Sequence, residues 1–124
     1  VDVFFFLDTS SSCSHLAERF FKAANTLPLD RFNVKLFCFD TSTYDLIDGK
    51  LQGFGGTSYQ PIEDRVQLEI KNNNIQYPSV FIVSDGYGSP VKPERPEFWY
   101  WFLSENYIQY VHKDSKVFML SDFE

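Results

Sequence analysis

Val1-Asp2-Val3-Phe4-Phe5-Phe6-Leu7 runs directly into Asp8-Thr9-Ser10-Ser11-Ser12. The apolar run is short and shows little alternation, which suits a central strand covered on both faces, as in a parallel sheet flanked by helices. A buried helix is the competing reading, but the run is brief and stops at a polar cluster. From Ser14 the period changes. Leu16, Phe20, Ala24 and Leu27 fall on one face of a helix that ends before Pro28.

The same reasoning extends along the chain. Val34 to Phe39 reads as a second strand, and Thr43-Tyr44-Asp45-Leu46-Ile47 as a short third one at an edge, after a turn around Asp40-Thr41-Ser42. Gly53-Phe54-Gly55-Gly56-Thr57-Ser58 is a glycine-rich loop. A second helix follows, with Pro61 near its first turn, Glu63 and Asp64 suited to its positive end, and Ile62, Val66 and Ile70 as its apolar stripe. Asn72-Asn73-Asn74 marks its end. Val80 to Val83 predicts a buried strand running into Ser84-Asp85-Gly86, and Gly88 to Pro96, with three prolines, a loop. Phe98 to Leu103 and Lys116 to Leu120 complete the strands; Tyr107 to Ser115 carries no clear signal. Strand, helix, strand, strand, helix, strand, strand, strand is the order of a layered α/β domain.

Composition narrows the function. The chain has 124 residues and a formal charge of −6, which fits one compact domain spanning residues 1–124. An acidic pI near 4.8 disfavours a nucleic-acid partner, because few basic groups are present to release counterions. No apolar run approaches the roughly 18 residues that span a bilayer, so no membrane association is expected. A start at Val1 reads as a domain cut from a longer protein. Cys13 and Cys38 are too few for a disulfide framework, which points to free thiols in a reducing cytoplasm. Aromatic content of 19% supplies the means to fill a core.

Ligands of open α/β sheets bind beyond the carboxyl ends of the strands. Three polar segments should meet there: Asp8 to Ser12, Gly55-Gly56-Thr57, and Ser84-Asp85-Gly86. Their chemistry is oxygen only, from Asp8, Ser10, Ser12, Thr57 and Asp85. Side chains at i, i+2 and i+4 of an extended turn can converge, and the two glycines let the backbone bring Thr57 close. Such donors suit a hard divalent cation, Mg²⁺ or else Mn²⁺ or Ca²⁺, whereas zinc normally recruits imidazole or thiolate. The simpler reading is that Asp8, Ser10 and Ser12 cap the first helix. Asp40 and Asp45 read as turn residues, and His15 and His112 as solvated ones. Cys13 reads as structural. Nothing resembles a phosphate-binding loop, because the glycines lack the following Lys.

Asp8-Thr9-Ser10-Ser11-Ser12 fits the D-x-S-x-S signature of von Willebrand factor type A (VWA) domains, after an apolar first strand. Thr57 resembles that family's metal-site threonine, and Asp85 the aspartate of its [TS]-D-G element. The resemblance implies a three-layer αβα sandwich around a mostly parallel, Rossmann-like sheet of about six strands with one short antiparallel edge strand. It also implies a metal-ion-dependent adhesion site. Ser10, Ser12 and Thr57 would supply hydroxyl ligands, Asp8 and Asp85 would bind directly or through water, and an acidic side chain of a protein partner would complete the shell. Typical members are longer. The chain looks more like the compact VWA-like domain at the C-terminal end of bacterial and phage metallopeptidase-like proteins, with Ser58 where that subgroup often has an acidic residue. No H-E-x-x-H occurs, so no peptidase activity carries over. The expected function is a non-catalytic interaction module. The alternatives are an Mg²⁺-dependent phosphoryl-transfer enzyme with Asp8 as nucleophile, or a structural domain with an empty site.

Overall fold

The computed structural model describes residues 2–10, 16, 31–46, 53 and 55–123. Its strands are β1 (Asp2–Asp8), β2 (Asn33–Phe39), β3 (Thr43–Asp45), β4 (Ser79–Ser84), β5 (Trp99–Leu103) and β6 (Lys116–Met119), with helix α1 (Gln60–Asn73) between β3 and β4. They form one sheet of order β3-β2-β1-β4-β5-β6. Every neighbouring pair is parallel except β2 and β3. The α/β class, the mostly parallel sheet and the short antiparallel edge strand are as the sequence leads one to expect. The helix expected over Ser14–Leu27, together with Ser12, Cys13, His15 and Ile47, lies outside the described residues, apart from Leu16. Phe98 and Leu120 fall in short 3₁₀ turns rather than in strands.

The uninterrupted apolar reading of β1 has its cause in two buried faces. Phe4 and Phe6 lie on the α1 side with Phe37, Phe39, Val80, Ile82, Trp99 and Trp101, over which Ile62 and Val66 of α1 pack. Val3, Phe5 and Leu7 point the other way, into a second cluster with Cys38, Val83, Leu16 and Leu120. Cys38 is fully buried. Phe6 stacks on Phe37 with ring centroids 4.8 Å apart, while Tyr59 meets Trp101 edge-on at 4.9 Å. β5 is interior, flanked by β4 and β6. Its alternation therefore places Trp99 and Trp101 under α1 and Phe102 in the second cluster, rather than leaving one aromatic row in solvent.

Helix α1 begins with Pro61 in its first turn and ends at Asn74, whose φ of 51° closes it in a left-handed cap. Glu63 does more than answer the helix dipole. It is buried, and its carboxylate accepts the Tyr77 hydroxyl at 2.6 Å, the Glu94 backbone N–H at 3.0 Å and the Gln67 amide at 2.7 Å. Trp99 Nε1 donates to the Tyr77 hydroxyl at 2.6 Å. A buried carboxylate is tolerated when its lone pairs are filled in this way, and here it staples α1 to the two segments that bracket β4.

This staple gives a pH signature. Burial, and then the bond to Glu63, push the Tyr77 phenol well above its ordinary range. A phenol with a raised folded-state pKa contributes stability that is complete below its unfolded value of about 10 and is lost as pH rises beyond it. Tyr77→Phe is expected to lower stability by about 1–2 kcal/mol at neutral pH. Between about pH 9 and about pH 11, denaturant titrations should then show wild type losing stability more steeply than the variant. Parallel profiles would contradict the assignment.

Candidate metal centre

The strand order reverses between β1 and β4: the chain moves outward from β1 through β2 to β3, then restarts on the other side with β4. Loops leaving two such strands diverge to opposite faces and open a crevice at the carboxyl edge. Leu7 pairs with Val83, so Asp8 stands level with Ser84 at that carboxyl edge.

Asp8 is fully buried there, and each of its oxygens has a distinct use. Oδ2 accepts the Ser84 hydroxyl at 2.6 Å, a short charge-assisted bond. Oδ1 accepts the Ser10 backbone N–H at 2.9 Å, an Asx-type turn that folds the chain back as it leaves the strand. The Thr57 hydroxyl lies 3.5 Å from the same Oδ1. That distance is long for O–H···O, which clusters between about 2.5 and about 3.0 Å. Two oxygens in adjacent octahedral positions around one ion sit about 3.0 Å apart for Mg²⁺ and about 3.4 Å for Ca²⁺, from their usual bond lengths. The spacing of Asp8 Oδ1 and Thr57 Oγ1 is close to that of co-ligands around Ca²⁺ and about 0.5 Å wider than that around Mg²⁺.

Thr57 is placed by its loop. Gly55 N–H donates to Asp40 Oδ2 at 3.2 Å, and a Cβ on Gly55 would lie 3.1 Å from that oxygen, so the glycine allows the loop to press against Asp40. Asp40 Oδ1 accepts Ser42 N–H at 3.0 Å, the turn role read from the sequence, and the Asp40 carbonyl accepts Ser58 N–H at 2.8 Å. On its other flank Ser58 bridges to Ser89, with Ser89 N–H on the Thr57 carbonyl at 3.1 Å. The loops after β2 and β4 thus clamp Thr57 from both sides. Asp45 is exposed and ion-paired with Arg65, which also lies 4.7 Å from the centre of the Phe37 ring.

Asp85 follows Ser84 at the same edge, nearly buried, and its Oδ1 accepts Tyr87 N–H at 3.0 Å. Of the residues singled out from sequence, the Ser10 backbone N–H bonds Asp8 directly and the Thr57 hydroxyl lies 3.5 Å from the same carboxylate. Asp85 follows the last residue of β4, and Ser12 is outside the described residues. His112 is exposed, its Nδ1 accepting Asp114 N–H at 3.0 Å. Two residues that sequence reasoning did not single out complete the constellation. Ser84 bonds Asp8, and the buried Tyr59 hydroxyl lies 2.8 Å from Ser84 Oγ and donates to the Tyr87 carbonyl at 3.1 Å. The only sequence signals were a serine before Asp85 and an aromatic at the helix entrance.

No three His, Cys, Asp or Glu side chains gather into a cluster among the described residues, so the candidate donors are two carboxylates supplemented by hydroxyls. Also among the described residues, no helix is long and apolar enough to cross a membrane. No protein-family model matches the chain, and no curated protein matches it.

Proposed function

We propose that this domain is a divalent-cation-dependent protein-interaction module of the VWA type, with Asp8, Ser10, Ser12, Thr57 and Asp85 as the ion's protein ligands. One observation carries the reading. Asp8 Oδ1 and Thr57 Oγ1, 49 residues apart in sequence, stand 3.5 Å from each other at the carboxyl edge where the strand order reverses. The all-oxygen set favours Mg²⁺, Mn²⁺ or Ca²⁺ over softer ions. The bound ion would offer a Lewis-acidic seat to a carboxylate from an acidic side chain of a partner protein. The chain's own part is to hold the oxygens at the right spacing and to leave one position open. Helix α1 starts three residues after Thr57, and its positive end favours an incoming anion.

Two features of the fold support the family reading. The six-stranded sheet carries a single short antiparallel edge strand, β3. Leu16, from the stretch read as the first helix, is buried against the sheet face opposite α1, where the second helical layer of an αβα sandwich would lie. Within this reading the chain corresponds to the compact subgroup that accompanies metallopeptidase-like proteins.

Thermal melts test the proposal. A ligand at 100 times its dissociation constant stabilises the folded state by about 2.7 kcal/mol. For a chain of this length, that corresponds to about 10 °C in Tm. The expected result is such a rise on replacing EDTA by millimolar Mg²⁺, Mn²⁺ or Ca²⁺. No shift with any of the three would leave a structural domain with an empty site. Turnover of a general phosphatase substrate that vanishes in Asp8→Asn would assign phosphoryl transfer instead.

A further inference from the structure

We propose that Tyr59 is the positioning residue of this site, holding both of its carboxylates through one buried hydroxyl; the inference rests on the cation reading above. An aspartate on a strand end is free to turn about its last torsion, so something must decide which oxygen faces the ligand. In Asp8 the decision is made by Ser84, whose 2.6 Å bond captures Oδ2 and leaves Oδ1 toward Thr57 and Ser10. A serine hydroxyl rotates readily, and its single proton goes where its lone pairs are not engaged. Gly86 N–H donates to Ser84 Oγ at 3.3 Å, and the Tyr59 hydroxyl approaches it at 2.8 Å. With those two groups on its acceptor side, the Ser84 proton is aimed at Asp8.

The Tyr59 hydroxyl has one proton, which is shared in a three-centre bond between Ser84 Oγ at 2.8 Å and the Tyr87 carbonyl at 3.1 Å, and Tyr87 N–H in turn holds Asp85 Oδ1 at 3.0 Å. One phenol thus reaches Asp8 through a serine hydroxyl and Asp85 through a peptide unit. Its own position is set by the core rather than by the loops. The ring is fully buried, edge-on to Trp101 at 4.9 Å and tilted against Phe39 at 5.8 Å. Precision in the loops of a site must come from a rigid element behind them, and Tyr59 is where the sheet core meets this one.

Isothermal titration of Mg²⁺ into the intact domain tests the role. Tyr59→Phe keeps the packed ring and removes the hydroxyl; it should weaken Mg²⁺ binding about tenfold, the usual scale for a hydrogen bond that orients a charged group. Ser84→Ala, which leaves Tyr59 in place, should do the same. The double variant should bind no worse than about threefold below the weaker single, because both changes break one chain of bonds. Tyr77→Phe is the control. It removes another hydroxyl that bonds at the edge of the same core, away from the site, and should leave the affinity within about twofold. Unchanged binding by Tyr59→Phe or by Ser84→Ala overturns the proposal, as does a loss in Tyr77→Phe equal to that in Tyr59→Phe. Losses that multiply in the double variant also overturn it. A wild type that binds no Mg²⁺ overturns the cation site itself, and the role of Tyr59 with it.

Discussion

Gly86→Ala is expected to lower stability by about 3–4 kcal/mol, and Tm by roughly 10–15 °C, the largest effect expected of a methyl added at any of the described glycines. Two independent costs meet at this position. Gly86 has φ of +90°, a conformation that L side chains rarely adopt, at a cost of about 1–3 kcal/mol. A Cβ there would also stand 2.3 Å from the Tyr107 carbonyl oxygen, which is backbone and has little room to yield. The displacement would travel into the site from both sides. Gly86 N–H supports Ser84, and Tyr107 stacks on Tyr87 with centroids 4.1 Å apart, beside the peptide that holds Asp85. Gly56→Ala provides the contrast: its nearest neighbour would be a Thr41 methyl at 3.9 Å, and its expected change is within about 0.5 kcal/mol. Denaturant unfolding of the two variants checks the pair. A mild Gly86→Ala would show that the loop from Ser84 to Tyr87 adapts, so that it could not hold Asp85 in place.

Asp8→Asn is the second large effect, and its sign depends on the metal. The amide keeps the shape of the carboxylate but removes the charge and one acceptor; with its oxygen on Ser10 N–H, its NH2 faces Ser84 Oγ, whose hydroxyl must turn to accept it. In EDTA the variant should melt within about 4 °C of wild type, the equivalent of about 1 kcal/mol for a chain of this length. A buried carboxylate is costly without a cation, so the amide is tolerated well in that condition. In Mg²⁺ the two should separate. Wild type gains about 10 °C at 100 times its dissociation constant, whereas the variant, short of one anionic ligand, gains little. A variant that keeps the full gain would place the ion elsewhere. A variant that unfolds in EDTA would make Asp8 a structural residue first.

The legible parts of the fold are those whose signal lies within a few neighbours. β1 and β4 read as buried strands because both of their faces are covered, leaving no polar alternation. α1 reads from Pro61 at its entrance, the Ile62, Val66 and Ile70 stripe, and the asparagines at its exit. The stretch from Tyr107 to Ser115 was opaque because it holds no period to find. It is a series of turns, closed by Val111 N–H on the Ile108 carbonyl and Ser115 N–H on the His112 carbonyl. The burial of Glu63 was hidden for a different reason. Its partners Tyr77 and Glu94 are 14 and 31 residues away, and a glutamate in the first turn already had a sufficient local explanation.

The site divides along the same line. Asp8 and Asp85 were legible because a carboxylate directly after an apolar strand must sit at the sheet's edge. Thr57 was legible from its glycines, although it is Asp40, rather than an ion, that Gly55 approaches. Ser84 and Tyr59 were not, because their roles exist only across 76 and 25 residues of intervening chain. A tyrosine before a helix suggests packing, and packing is half of what Tyr59 does.

Anomalous diffraction from crystals grown in Mn²⁺ tests the central claim most directly. The expected result is a single strong peak at the carboxyl edge between β1 and β4, within about 2.6 Å of Thr57 Oγ1 and in the same shell as Asp8 Oδ1. A peak bound elsewhere, or a Thr57 hydroxyl still directed at Asp8 with no ion between them at millimolar Mn²⁺, would contradict it.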